Sequence, residues 1–216
     1  MADTNITWKE LAPLLKTGDI VLVQGSSHFQ EIISKLTGSS YIHMAMVVLS
    51  KDIALKDPTA PILLWESTPY AITEDERLHK AKAGPTLVDA EKRINDELER
   101  GIFSRFIFRR LNHELGPDNF KGLNKAIQRV YPDKFPTDFM FFVKGILGRL
   151  FGLEVNKKAF FCSELIGYTY QQMGILGKEH PADFYEPKDF SDKGHLHLRD
   201  NLSLGEDLNL ELRIRE

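Results

Sequence analysis

The chain has 216 residues, 42% of them hydrophobic and 27% charged, with a formal net charge of −3 at neutral pH. That balance suits one globular domain spanning 1–216 and excludes a general affinity for nucleic acid, which needs a basic surface. A single cysteine excludes an internal disulfide and a zinc cluster of the Cys/His type, and residues 1–16 lack the apolar core of a secretory signal, so a cytoplasmic location is expected.

In chain order, residues 18–23 read as a strand entered from a turn, and residues 28–36 place Phe29, Ile32, Ile33 and Leu36 at helical spacing. The turn-rich Thr37-Gly38-Ser39-Ser40 leads into residues 41–49, a strand apolar enough to be central in a sheet. His43 stands near its start, and strict alternation along a strand puts Tyr41 on the same face. A third strand over residues 61–67 carries Glu66 near its end, and its hairpin partner is expected around residues 70–73. Residues 89–100 are highly charged and read as a solvated helix or a linker. Residues 102–110 give another strand, whose arginines either solvate an exposed edge or meet an anionic group. Residues 119–131 have helical spacing through Phe120, Leu123, Ala126, Ile127 and Val130. Near the end, Leu208, Leu210, Leu212 and Ile214 alternate with polar residues, the pattern of a strand with one buried face. The expected class is α+β: a mainly antiparallel sheet packed on helices, with a helical insert at about 112–158.

The lone Cys162 sits where the apolar run Ala159-Phe160-Phe161 turns into a helical pattern: Leu165, Ile166, Thr169, Tyr170 and Met173 recur at three- and four-residue steps, and Gly174 is placed to end it. One reading is a buried structural cysteine. The other is a nucleophile, because free N–H groups at a helix N-terminus favour the thiolate, the reactive form. A nucleophile needs a base, and His43 offers one. Glu66 is then the natural acceptor for the second ring nitrogen, fixing the tautomer and steadying the imidazolium.

Gly-Asp-Ile at 18–20, Thr-Gly-Ser-Ser-x-x-His at 37–43, Trp-Glu-Ser at 65–67 and Phe-Cys-Ser-Glu-Leu at 161–165 resemble the circularly permuted papain-like hydrolases. This is the YiiX-like branch of the NlpC-type superfamily, related to the lecithin:retinol acyltransferase-like proteins. The order of His43, Glu66 and Cys162 matches the permuted arrangement, in which the histidine strand precedes the cysteine helix. The resemblance runs from about residue 17 to about residue 190. It implies a papain-like permuted core in which Cys162 is the nucleophile, His43 the base and later acid, and Glu66 the orienting group. Tyr41, by strand alternation, and Ser163, in the first turn of the helix, are candidates for binding substrate or the oxyanion. Neither a cofactor nor a metal is called for. The implied activity is cleavage of an amide-type bond in a peptide, a cell-wall fragment or an N-acyl small molecule. A lipid acyltransferase or phospholipase with the same site is the first alternative, and a catalytically silent binding module the second.

Residues 139–153 are apolar almost all round, interrupted by Lys144 and Arg149, and too short to span a bilayer, which takes about 20 residues. They read as a helix packed on the sheet, as a lid over an acyl pocket, or as a helix lying at a membrane surface. From Lys121 to Lys158 eight Lys or Arg stand against three acidic residues, a surface suited to anionic lipid or simply to water.

Overall fold

The computed structural model describes residues 4–25, 39–69, 71–101, 103–132 and 162–211. In chain order these form β1 (Thr4–Ile6), α1 (Trp8–Leu11), β2 (Ile20–Gly25), β3 (Tyr41–Leu49), β4 (Ile62–Thr68), β5 (Glu74–Asp75), β6 (Lys80–Ala81), β7 (Gly84–Asp89), α2 (Ala90–Glu99), β8 (Phe103–Leu111), α3 (Pro117–Val130), α4 (Cys162–Gln172) and β9 (Leu204–Leu210). The strands make one sheet in the order β1-β9-β8-β2-β3-β4-β7-β5-β6. Only the β1–β9 pairing within it is parallel. The fold is α+β, as the mixture of strand and helix patterns predicts.

A strand apolar on both faces must be covered on both, and β3 is the middle strand of the sheet. Met44, Met46 and Val48 pack with Leu123 and Ile127 of α3 and Leu165, Ile166 and Tyr170 of α4. Ala45 and Val47 look the other way, into a layer with Leu11 of α1 and Ala90 and Ile94 of α2. Each large side chain buried here contributes about 1.5–3 kcal/mol. The sheet is thus the shared wall of two cores.

The helix that begins at Cys162 is fastened at several points. Its end is set by Gly174 at φ 76°, a left-handed conformation that glycine adopts without a Cβ penalty, and Ile175 N–H closes the turn onto Tyr170 O at 2.9 Å. Trp65 Nε1 donates to Thr169 Oγ1 at 3.0 Å, and Tyr170 Oη to Gly18 O at 2.5 Å. At Gly122 helix α3 comes so close to α4 that a Cβ would lie 2.1 Å from Gln172 O.

Several sequence expectations change. The partner of β4 is β7, not residues 70–73; a Gly and a Pro inside residues 84–89 disguise it as a turn. Of residues 89–100, Ala90–Glu99 form a helix that is solvated on one face only: Glu91, Lys92, Asn95 and Glu99 are exposed, while Ala90, Arg93, Ile94 and Glu97 are buried. Strand β8 lies between β2 and β9 and is no edge. Its Arg109 turns inward instead, giving hydrogen bonds to Gly205 O, Leu204 O and Phe190 O and pairing with Asp207 at 3.1 Å. The expected helix at 28–36, the apolar run 139–153, the insert beyond residue 132 and the strand positions Leu212 and Ile214 lie outside the described residues.

Candidate active site

Strand β3 delivers His43, and β4 delivers Glu66, to the face of the sheet that α2 covers. His43 Nε2 and Glu66 Oε2 are 2.6 Å apart, with 8% and 2% of the two residues exposed. The imidazole lies nearly parallel to the ring of Phe103, 6.0 Å away and tilted by 5°, which fixes its plane. Nδ1 is then the nitrogen left for Cys162, with which His43 makes a side-chain hydrogen bond.

Cys162 reaches this histidine from the opposite layer, and the sheet makes the passage. Strand β4 pairs with β3 only from Ile62–Leu49 to Trp65–Met46, while its pairing with β7 continues to Thr68. Val47 gives its N–H to Asp19 O on the β2 side, so by alternation Met44 points its N–H to the β4 side, just where that ladder has stopped. This donor goes to the Cys162 sulfur, as does the N–H of Ser163. The cysteine at the head of α4 thus fills the opening between two diverging strands.

The electrostatics favour an ion pair. Burial disfavours the imidazolium, but hydrogen bonds to Cys162 and Glu66, with the charges of both, outweigh it and raise the His43 pKa to about 10. Burial would likewise push the Cys162 thiol up, yet the hydrogen bond and charge of His43, helped by the two backbone N–H groups, bring it below the ordinary thiol value. Glu66 is raised by burial and lowered more by Arg93 and His43, so it stays a carboxylate. As a residue Cys162 is only half-buried.

Two residues that the sequence reading left out stand behind Glu66. Arg93 Nε lies 2.7 Å from Glu66 Oε1, and Arg93 Nη1 lies 2.5 Å from Glu97 Oε1, two buried ion pairs on one guanidinium. Both residues are buried, at 2% and 1% exposure. Their one signal in the sequence is the i,i+4 spacing on the same side of a helix as Ala90 and Ile94.

Tyr41 is not on the face of His43. The β2–β3 ladder pairs Val23 with His43 but Gln24 with Tyr41, so Ile42 is an extra residue, a bulge that breaks the alternation. Tyr41 packs on the α3–α4 side, where Cys162 also lies. There it lines a groove of about 780 Å³ together with His180, Phe184, Tyr185 and Lys188. Ser163 is buried at 3% exposure, and what it contributes is its backbone N–H. Among the described residues no three His, Cys, Asp or Glu side chains gather as a metal site requires, and no helix is long and apolar enough to cross a membrane.

No known protein-family profile matches the chain, and no curated protein matches it. Among solved structures it is similar to the metalloprotein YiiX from Escherichia coli O157:H7, with a TM-score of 0.45 and 19% sequence identity. The match covers 73% of this chain and 66% of that one, a little under two thirds of its length.

Proposed function

We propose that this chain is a single-domain cysteine hydrolase with a permuted papain-like core, cleaving an amide-type bond through an acyl-thioester on Cys162. The observation that carries the reading is the hydrogen-bonded row Cys162, His43, Glu66, with two backbone N–H groups aimed at the sulfur. A thiolate–imidazolium pair is the resting form such a nucleophile needs at neutral pH.

In the first step the Cys162 thiolate adds to the substrate carbonyl carbon, and the oxygen takes the negative charge. The N–H groups of the first turn of α4, Ser163 among them, are the donors nearest to that charge. His43 gives its Nδ1 proton to the departing nitrogen, the C–N bond breaks, and an amine leaves with the thioester formed. Neutral His43 then takes a proton from water, whose oxygen adds to the thioester carbonyl. Release of the carboxylic acid returns sulfur and imidazolium to the starting pair. Glu66 keeps its charge throughout and holds the ring in place.

Peptides, cell-wall fragments and N-acyl small molecules are the substrate class of this reading. Incubation with each of these and with a lipid extract, followed by mass spectrometry of intact Cys162, tests it. An acyl adduct from an amide donor is the expected result. An adduct from lipid esters alone would turn the reading to an acyltransferase or phospholipase. A Cys162 that alkylates no faster than free cysteine would leave a silent binding module.

A further inference from the structure

Strand β7 runs into α2 without a loop: Asp89 is both the last residue of the strand and the N-cap, its side chain accepting Lys92 N–H at 3.1 Å. That junction sets Arg93 in the first turn of α2, directly behind Glu66. The guanidinium meets Glu66 at 2.7 Å with Nε, Glu97 at 2.5 Å with Nη1 and Thr68 Oγ1 at 3.4 Å with Nη2. Filling a core with ions is a poor route to stability, because desolvation offsets most of the Coulomb gain. An apolar pair would pack α2 on the sheet as well.

We propose that Arg93 is a positioning residue of the Cys162 site: it keeps Glu66 ionised and aimed at His43, while Glu97 fixes the guanidinium from the far side. This rests on the hydrolase reading of Cys162. A carboxyl at 2% exposure takes up a proton unless a cation opposes burial, and Arg93 supplies the largest opposing charge. Were Glu66 neutral, the His43 imidazolium would lose its counter-ion, and Cys162 would lose the cation that holds its thiolate. The charged groups around this row are His43 on β3, Glu66 on β4, Glu97 and Arg100 at α2 and Cys162 on α4.

The test follows the rate of Cys162 alkylation by iodoacetamide from acid to alkaline pH, with thermal melts, for the wild type and for Arg93→Gln, Arg93→Lys and Glu97→Gln. The alkylation midpoint should rise by about 1–3 pH units in Arg93→Gln, the effect of an opposite charge at this distance. It should rise less in Arg93→Lys, which keeps the charge but not the planar fork, and least in Glu97→Gln. Melting temperatures that fall while every midpoint stays at the wild-type value would overturn the inference and leave Arg93 a packing ion. If Arg93→Gln does not fold, Arg93→Lys decides alone: a raised midpoint supports the role and an unmoved one removes it. A wild-type Cys162 that titrates like free cysteine sinks the hydrolase reading itself, whatever the variants do.

Discussion

Trp65 and Thr169 join the two halves of the site: the indole N–H donates to the threonine hydroxyl at 3.0 Å, where both residues are fully buried. Trp65 precedes Glu66 on β4, and Thr169 lies two turns into the helix headed by Cys162. The hydroxyl in turn donates to Leu165 O at 2.7 Å, so the threonine oxygen both accepts and donates. Thr169→Val should therefore cost about 1–3 kcal/mol by stranding the buried indole N–H. In a domain of this size each kcal/mol lowers the melting temperature by about 2–4 °C. Adding Trp65→Phe removes the stranded donor, so the double variant should be less unstable than the two single losses summed; strict additivity in the melts would mean that the bond couples nothing.

The pH profile of turnover should be bell-shaped with a wide top. The thiol is held below its ordinary value and the imidazolium persists to about 10, so the ion pair is the main form between these limits. Activity falls on the acid side as the thiolate takes a proton and on the alkaline side as His43 loses the one it must give to the leaving group. In His43→Ala only the two backbone N–H groups oppose burial at Cys162, and alkylation near neutrality should drop at least about tenfold, the effect of a single pKa unit. Equal rates in the two proteins would remove His43 from the mechanism.

Cys162→Ala should abolish turnover and leave the melting temperature close to that of the wild type, since a half-buried cysteine gives up little volume. Glu66→Gln should do less to turnover and more to stability. The amide still accepts from His43, but Arg93 then keeps only Glu97 as a counter-ion, a loss of about 1.5–3 kcal/mol for a bond to a charged group. Wild-type turnover in Glu66→Gln would show that the carboxylate charge is not used.

Gly122→Ala tests the seat of the cysteine helix. The added methyl would fall 2.1 Å from a backbone oxygen, Gln172 O, which cannot swing aside as a side chain does, so α3 and α4 must move apart. A cost of about 1–3 kcal/mol is expected for such overpacking, read as a lower melting temperature. An unchanged melt would mean that the helix pair slides without resistance.

Much of the site was legible because its parts carry local signals. The apolar spacing from Leu165 to Met173 and Gly174 behind it mark α4, and continuous hydrophobicity marks β3 as central. What escaped was set by pairing between distant segments. Nothing near Tyr41 announces that Ile42 is one residue too many for its partner strand, because a bulge belongs to the ladder and not to either sequence. Arg93 and Glu97 looked like a solvated i,i+4 pair because the carboxylate that draws Arg93 inward, Glu66, is 27 positions away from it. Pro85 hid a strand that is well tolerated where it stands, beside Ser67 at the end of the β4 ladder.

The extra residue at Ile42 lets Tyr41 and His43, two positions apart, emerge on opposite faces of the sheet. Everything before it in β3 runs half a pleat out of phase with everything after it, so the wall of the groove and the row of buried charges grow from one strand yet occupy opposite compartments. Deleting that single residue would restore plain alternation, with Tyr41 still opposite Gln24 and still on the groove side, so the bulge and not the groove would be lost. With the length kept, position 41 is free to vary in size and polarity on one side of the sheet while the charges on the other are left undisturbed.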